Sequence, residues 1–364
     1  MLKRIIFAIV LLGLAVGVIA YADATRWNIG VQPTGDWFGG SNTYRNVPLM
    51  WMRAIDPLVE LGVNPGTGNV YYVDSNVTVE GDGSNWGNAK DTLDEAFALC
   101  TANNGDVILV AQGHAESLAG AADVTADLIG VTVIGLGNGD NVPTFTVATD
   151  SNEAAPVKIT ANNVTLCNLR FVGGKTGGSQ DAIEIAANYA TIDRCEFVET
   201  VNTKELAVAN NYGIITILDT AAAITNVTIS NCQFHLASGG NNESAIALTD
   251  ASNGVTHVKV LNCFINGTFA DGAIQWDQGT NPLTDAVVAN STIINDLATG
   301  GVGACISIDS GDAVIIVNCT IGSADGDKEP ISDDAASYLI NTWTCEAGAY
   351  GLTSVNGSAT NWGS

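Results

Sequence analysis

The chain has 364 residues, 46% of them hydrophobic and only 14% charged, with 40 glycines. That balance excludes a disordered acidic tail and supplies a substantial core. Acids outnumber bases 38 to 13, for a formal net charge of −25, which argues against nucleic acid as a partner and leaves few cations to grip an acidic polysaccharide.

The chain opens on a basic pair, Lys3 and Arg4, followed by an unbroken apolar run over residues 5–20 and then Ala20-Tyr21-Ala22. This is the layout of a secretory signal peptide over residues 1–22, cleaved after Ala22. The apolar run is short for a bilayer span, and nothing later resembles a second one. Expected locations are therefore secreted or cell-surface, or a virion, with no membrane contact after cleavage. Residues 23–68 carry Trp27, Trp37 and Trp51 among several Gly and Pro. They read as an N-terminal extension or cap.

Six short segments then align: residues 164–171, 190–197, 227–234, 258–265, 286–293 and 314–321. Each alternates apolar and polar residues as a strand does. Their sixth position falls at Leu169, Cys195, Cys232, Cys263, Ser291 and Cys319, at intervals of 26, 37, 31, 28 and 28 residues. A strand-based period of this size marks a β-solenoid. Asn recurs just before that position (Asn168, Asn231, Asn262, Asn290, Asn318), where a tight bend needs a residue tolerant of left-handed backbone. Stacked Asn amides can also bond to one another. The glycosylation-type triplets starting at Asn226, Asn290 and Asn318 are explained by the same bends.

An earlier strand precedes each segment, so one coil holds three strands. Its members include Ile183, Glu184 and Ile185, then Ile215 to Ile217, Ile246 to Leu248, Ile274 to Trp276, and Ile306 to Ile308. Alternation turns Ile185, Ile217, Leu248, Trp276 and Ile308 inward. It turns Glu184, Thr216, Ala247, Gln275 and Ser307 outward, toward solvent. On the second strand the outward residues change from Thr165, Thr191 and Thr228 to Val287 with Ala289 and Ile315 with Val317. An exposed apolar strip needs a cover, so the C-terminal segment is expected to fold back over it, or a second subunit to do so.

The opening of the solenoid carries a resemblance. Tyr72-Val73-Asp74, Gly81-Asp82-Gly83-Ser84-Asn85-Trp86, Thr92-Leu93-Asp94-Glu95-Ala96 and the run from Gly105-Asp106-Val107-Ile108 to Gly113 resemble the start of pectin-lyase-like right-handed β-helix proteins. The resemblance implies an all-β, single-stranded right-handed parallel β-helix with an N-terminal capping helix. That helix is expected over residues 89–102, burying Leu93, Ala96, Phe97 and Cys100. The resulting organisation is residues 1–22 signal peptide, 23–68 extension or cap, 69–116 helix-containing cap, 117–325 coils and 326–364 C-terminal cap. The superfamily includes lyases, hydrolases, adhesins and phage tailspikes, so the resemblance speaks to fold and barely to function.

Eight cysteines in an exported chain invite disulfides. Cys195, Cys232, Cys263 and Cys319 instead occupy one inward position on successive coils, where free thiols fill a stack. There is no CxxC pair, and His114, His235 and His257 are far apart, which offers no transition-metal site.

Chemistry has one candidate surface. Asp219, Asp250, Asp277 and Asp309 follow the first strand of successive coils, and stacking would bring such carboxylates within ~5–10 Å of one another. Asp250 and Asp277 are the candidate catalytic pair for glycoside hydrolysis. Glu184, Asp219, Gln275 and Asp309 are the candidate ligand-binding residues, and the same acids offer oxygen ligands to Ca2+. Turn chemistry alone also explains Asp at these places. The Asn-Thr-Asp, Asp-Asp, Gly-His-Gly and Arg-Ile-Lys segments of polygalacturonase-like members are absent. Pectate-lyase-like members pair Ca2+-binding acids with an Arg or Lys base, and Arg170, Arg194 and Lys259 are not aimed at the acidic turns. Gly113-His114-Ala115-Glu116 resembles the turn that enters the solenoid.

Three readings therefore stand. The leading one is an exported non-catalytic β-helix protein, structural or adhesin-like, that binds a glycan or a partner. The others are a polysaccharide lyase or hydrolase using the acidic turns, and a tailspike-like homotrimer.

Overall fold

The computed structural model describes residues 68–148, 154–174, 180–201, 204–207, 212–218, 222–237, 242–249, 253–276, 283–296, 304–308, 313–323, 330–333, 338–346 and 353–358. Residues 1–66 and 67–364 form separate units, and every described residue lies in the second. The signal peptide, the extension as far as residue 67, and Asp219, Asp250, Asp277 and Asp309 lie outside the described residues.

The chain winds into a parallel β-solenoid. The first strands of the coils, from Val124–Ala126 to Ile331–Asp333, make an eight-stranded sheet, here called the first sheet. The two strands inside each aligned segment, such as Thr165–Cys167 and then Arg170–Gly173, form the second and third faces, joined at the Asn bends. Register is held by alternation. Ile183, Ile215, Ile246, Ile274, Ile306 and Ile331 follow one another in adjacent strands without a slip, because a slip of one residue would turn the whole apolar set outward. On the third face the buried rings of Phe145, Phe171, Phe197 and Phe234 stack with centroids 5.6, 5.3 and 4.6 Å apart. Ile265, Ile293 and Ile321 continue that column. Trp276 is buried in the core, as alternation requires.

The bend between second and third faces is left-handed in every coil from Asn168 onward. Asn168, Asn231, Asn262, Asn290, Asn318 and Asn341 have φ of 48–56°, and Arg194 takes the same place at 53°. The amides bond along the axis: Asn262 Nδ2 donates to Asn231 Oδ1 (3.4 Å), Asn318 to Asn290 (3.2 Å) and Asn341 to Asn318 (2.8 Å). These bonds help to offset a backbone cost of about 1–2 kcal/mol per left-handed residue.

Among the described residues seven cysteines are free and buried. Each thiol at the repeating position donates to two carbonyls. Cys232 Sγ reaches Ser230 O (3.2 Å) and Ile192 O (3.6 Å), and Cys319 Sγ reaches Val317 O (3.3 Å) and Val288 O (3.5 Å). Ser291 and Thr342 put a hydroxyl in the same role, on Ala289 O (2.9 Å) and on Ile316 O (3.2 Å). The position selects a small hydrogen donor, of which a thiol is the least polar.

Three expectations are corrected. The helix spans Leu93–Phe97, not residues 89–102; Thr92 Oγ1 caps it by accepting from Glu95 N (3.4 Å), and Ala98 closes it. Its buried residues are nevertheless Leu93, Ala96 and Phe97, with Cys100 buried just beyond. Second, among the described residues the C-terminal segment does not fold over the apolar strip. Tyr338–Glu346 adds another parallel strand, pairing Tyr338 with Ile315 and Ile340 with Val317, and Thr353–Ser358 returns antiparallel beside it. The strip is lengthened instead: Ile315 is 39%, Tyr338 58% and Ile340 50% exposed. Third, Glu184, Thr216, Ala247, Gln275 and Ser307 are buried, although they point away from the core.

Candidate functional site

The outward row of the first sheet is largely polar and, beyond Lys158, buried. It runs Lys158, Glu184, Thr216, Ala247, Gln275, Ser307 in successive strands. Every strand here carries apolar residues on both sides of the row position, so the core holds the strand and one side chain per coil projects the other way. Lys158 Nζ donates to both oxygens of Glu184, at 3.0 and 2.8 Å. Two coils further, Ser244 Oγ donates to Gln275 Oε1 (3.1 Å), and Gln275 Nε2 to Asp271 Oδ2 (3.4 Å). Burying such groups is tolerated because they satisfy one another.

Carboxyls flank the row where the strands begin. Asp181 is fully buried, and neither oxygen has a hydrogen-bond partner among the described residues. Burial first, and then the Glu184 charge, push its pKa up to about 7. Its neighbour in register beyond the Ile183–Ile215 pair is Gly213, which brings no side chain to meet it. Glu243 is raised to about 7 by burial and then by hydrogen-bonded Asp271 on the next coil. Both are half-buried, so this pair holds a proton near neutral pH within reach of the surface. Glu199 is also pushed to about 7 by burial. It accepts from Leu206 N (2.7 Å) and Asn242 Nδ2 (3.0 Å), which ties adjoining turns together.

Of the residues singled out in the sequence, the structure places Glu184 and Gln275 in this row, in the same column but three coils apart. Arg170 and Arg194 are engaged elsewhere, on Glu196 (2.7 Å) and Asp193 (3.2 Å), and Lys259 points to solvent on the second face. His114 is buried, with Nδ1 accepting from Ser75 N (3.0 Å) and Nε2 3.1 Å from Glu116 Oε2; it pins the first coil. Sequence reading missed Lys158, Asp181, Glu243 and Asp271. Lys158 was legible: Val157, Lys158 and Ile159 repeat the Ile183, Glu184, Ile185 pattern one coil earlier. The three acids precede their strands in turns of unequal length, which hides their alignment.

The residues of the row do not fit Ca2+. Both Glu184 oxygens are held by the Lys158 ammonium, whose charge stands where a cation would. Elsewhere Glu80, Asp91 and Glu95 bring one oxygen each within 4.8 Å of one another, but this group is largely exposed and Lys90 already pairs with Glu80.

The winding, the Asn bends and the inward stacks define a parallel β-helix protein. No family model matches the sequence, nor does any curated protein. Among solved structures, a pectate lyase, Pel9A, is 13% identical over 82% of this chain and 79% of its own, with a TM-score of 0.43. A rhamnogalacturonan lyase is 12% identical over 79% and 85%, at 0.49. ORF18 of Geobacillus virus E2 is 9% identical over 85% and 66%, at 0.35. None shares enough with this chain to bring a residue role with it.

Proposed function

We propose that this is an exported, non-catalytic β-helix scaffold, of a cell surface or a particle, that works by docking onto another protein surface through its C-terminal coils. The observation that carries this reading is the exposed apolar strip in which Tyr338 lies in register with Ile315 and Ile340 with Val317, lengthened by the strand Tyr338–Glu346. An uncharged strip on a chain of net charge −25 is a place where another surface can approach without repulsion. The edge strand Thr353–Ser358, paired on one side only among the described residues, adds open backbone at the same end. A second copy of the chain is the first partner to test. Light scattering of the secreted protein across a concentration series should show association that Ile315→Asp with Ile340→Asp abolishes. A monomer at every concentration, with no surface partner retained by the unaltered protein and lost by the variant, would sink the reading. Mass spectrometry of the secreted chain should find Asp23 at its N-terminus.

A catalytic reading is favoured by the Glu243–Asp271 pair, which can donate a proton at neutral pH as a glycosidase acid must. Release of reducing ends or unsaturated products, lost in Glu243→Gln or in Asp250→Ala with Asp277→Ala, would replace the docking reading with this one.

A further inference from the structure

We propose that the outward side of the third face, around Phe264, is a platform for a neutral oligosaccharide. This site is separate from the docking strip and does not depend on it. On this face the inward column is Phe145, Phe171, Phe197, Phe234, Ile265, Ile293, Ile321, and the outward neighbours alternate with it. Those outward positions read Thr144, Arg170, Glu196, Gln233, Phe264, Thr292, Thr320 in successive coils. From Thr144 to Thr320 an aromatic ring thus interrupts a polar run, with Trp343 following Thr320 in register on the next strand, and packing of the core does not require the Phe264 ring there.

The surroundings of the ring are those a sugar uses. Phe264 is half-buried, its edge steadied by the exposed His235 ring, with centroids 5.5 Å apart and tilted 37°. His235 Nε2 is 3.0 Å from Gln233 Oε1, so the imidazole and the amide are held as a pair beside the ring. Asn266 continues the same outward line in register with His235, and Thr292 lies across from Phe264 on the next coil. The apolar face of a pyranose can lie on the ring while its hydroxyls meet the Gln233 amide, the Thr292 hydroxyl and the His235 imidazole. Aromatic surface with a few oriented polar groups is the usual composition of a small-ligand site. The strand spacing of about 4.8 Å is close to the length of one sugar unit, so a chain laid along the axis could meet successive coils in step.

Charge selects the class of glycan. Among the described residues, the outward column from Gln233 to Thr320 carries no charged side chain. The nearest charges in the column, Arg170 and Glu196, neutralise each other at 2.7 Å. The chain as a whole carries −25. An anionic polysaccharide would be repelled on approach with no cation to receive it, whereas a neutral one meets no opposition.

The test uses the secreted protein with cellohexaose, maltohexaose and mannohexaose, and with polygalacturonate as the anionic comparison. At least one neutral hexasaccharide should bind by calorimetry, and polygalacturonate should not. Phe264→Thr places at this position the residue its next two coils carry, so it should fold with an unchanged unfolding midpoint. It should bind the hexasaccharide about tenfold or more weakly, the loss expected of a stacking ring. The Ile315→Asp variant, altered on the second face, should bind as the unaltered protein does. The proposal is overturned if no neutral hexasaccharide binds, if polygalacturonate binds instead, if Phe264→Thr binds as well as the original, or if Ile315→Asp removes the binding.

Discussion

On the first sheet, the side chains that point away from the core are polar and buried. On the second face, over the last coils, they are apolar and exposed. Glu184, Thr216 and Gln275 are at most 8% exposed, whereas Tyr338 and Ile340 are at least 50% exposed. Both rows follow from one alternation, and both reverse the usual match of polarity to environment. Alternation decides which way a side chain points; what lies on that side is decided by other parts of the chain. The polar row is tolerable because Lys158 and Glu184 pair with each other and Thr216 and Gln275 find partners beside the row, and the apolar row because it is small or is used.

The largest expected effect comes from breaking the buried row. Glu184→Ala would leave Lys158, whose side chain is 23% exposed, without the acceptor that holds it. Removing one partner of a largely buried pair should cost about 2–4 kcal/mol, measured by urea unfolding. A loss below half a unit would mean that the row is wetter than its burial indicates.

Asp181 offers a second test, with a sign set by pH. Its pKa is raised from 3.8 to about 7, so the folded state holds a proton that the unfolded state releases between those values. Its stabilising contribution is full below pH 3.8 and is lost as pH rises toward 7. Glu199 and Glu243, raised from 4.5 to about 7, act in the same direction. The unfolding midpoint should therefore climb as pH falls from 8 to 5. Asp181→Asn, which keeps the shape without the charge, should be more stable than the original at pH 8 by about 1–3 kcal/mol and should flatten the climb. An unaltered slope would show that relief of net charge, and not this carboxyl, drives it.

A smaller effect is expected at the bend. Arg194 adopts φ 53° in a column otherwise filled by Asn, and Asn231 Nδ2, lacking an amide below it, bonds Asp193 Oδ1 at 2.7 Å instead. Arg194→Asn should relieve the left-handed cost and let the ladder run on, gaining about 0.5–1 kcal/mol. The gain is capped by the loss of the Arg194–Asp193 pair, which is partly exposed and so contributes little. A destabilised variant would assign that pair more weight than its exposure allows.

Much of this fold was legible because a solenoid writes its contacts into sequence at short range. The Ile column, the Asn bends and the thiol position all recur within one coil of themselves. The candidate site was less legible for the opposite reason. Asp181, Glu243 and Asp271 lie in the turns that lead into the first sheet, where coil length varies, so residues that end up on one edge share no offset in the sequence. Burial of Glu184 and Gln275 was hidden too, since alternation carries no information about cover. The helix was overestimated because Ala89, Ala98 and Ala102 favour helix locally, while Thr92 and Ala98 set its ends.

The smallest effect bears most directly on function. Ile315→Thr restores at one coil the residue that Thr165, Thr191 and Thr228 supply on the same column earlier in the chain. With Ile315 39% exposed, little apolar contact is lost, and the stability of the isolated chain should change by less than about 0.5 kcal/mol. If the strip is a docking surface, the same variant should weaken association at that unchanged stability. A loss above about 1 kcal/mol in the dilute chain would mean instead that Ile315 is covered from within the molecule. The strip would then belong to the fold and not to a partner, and the contrast between the two rows would become one of cover supplied by different segments of the same chain.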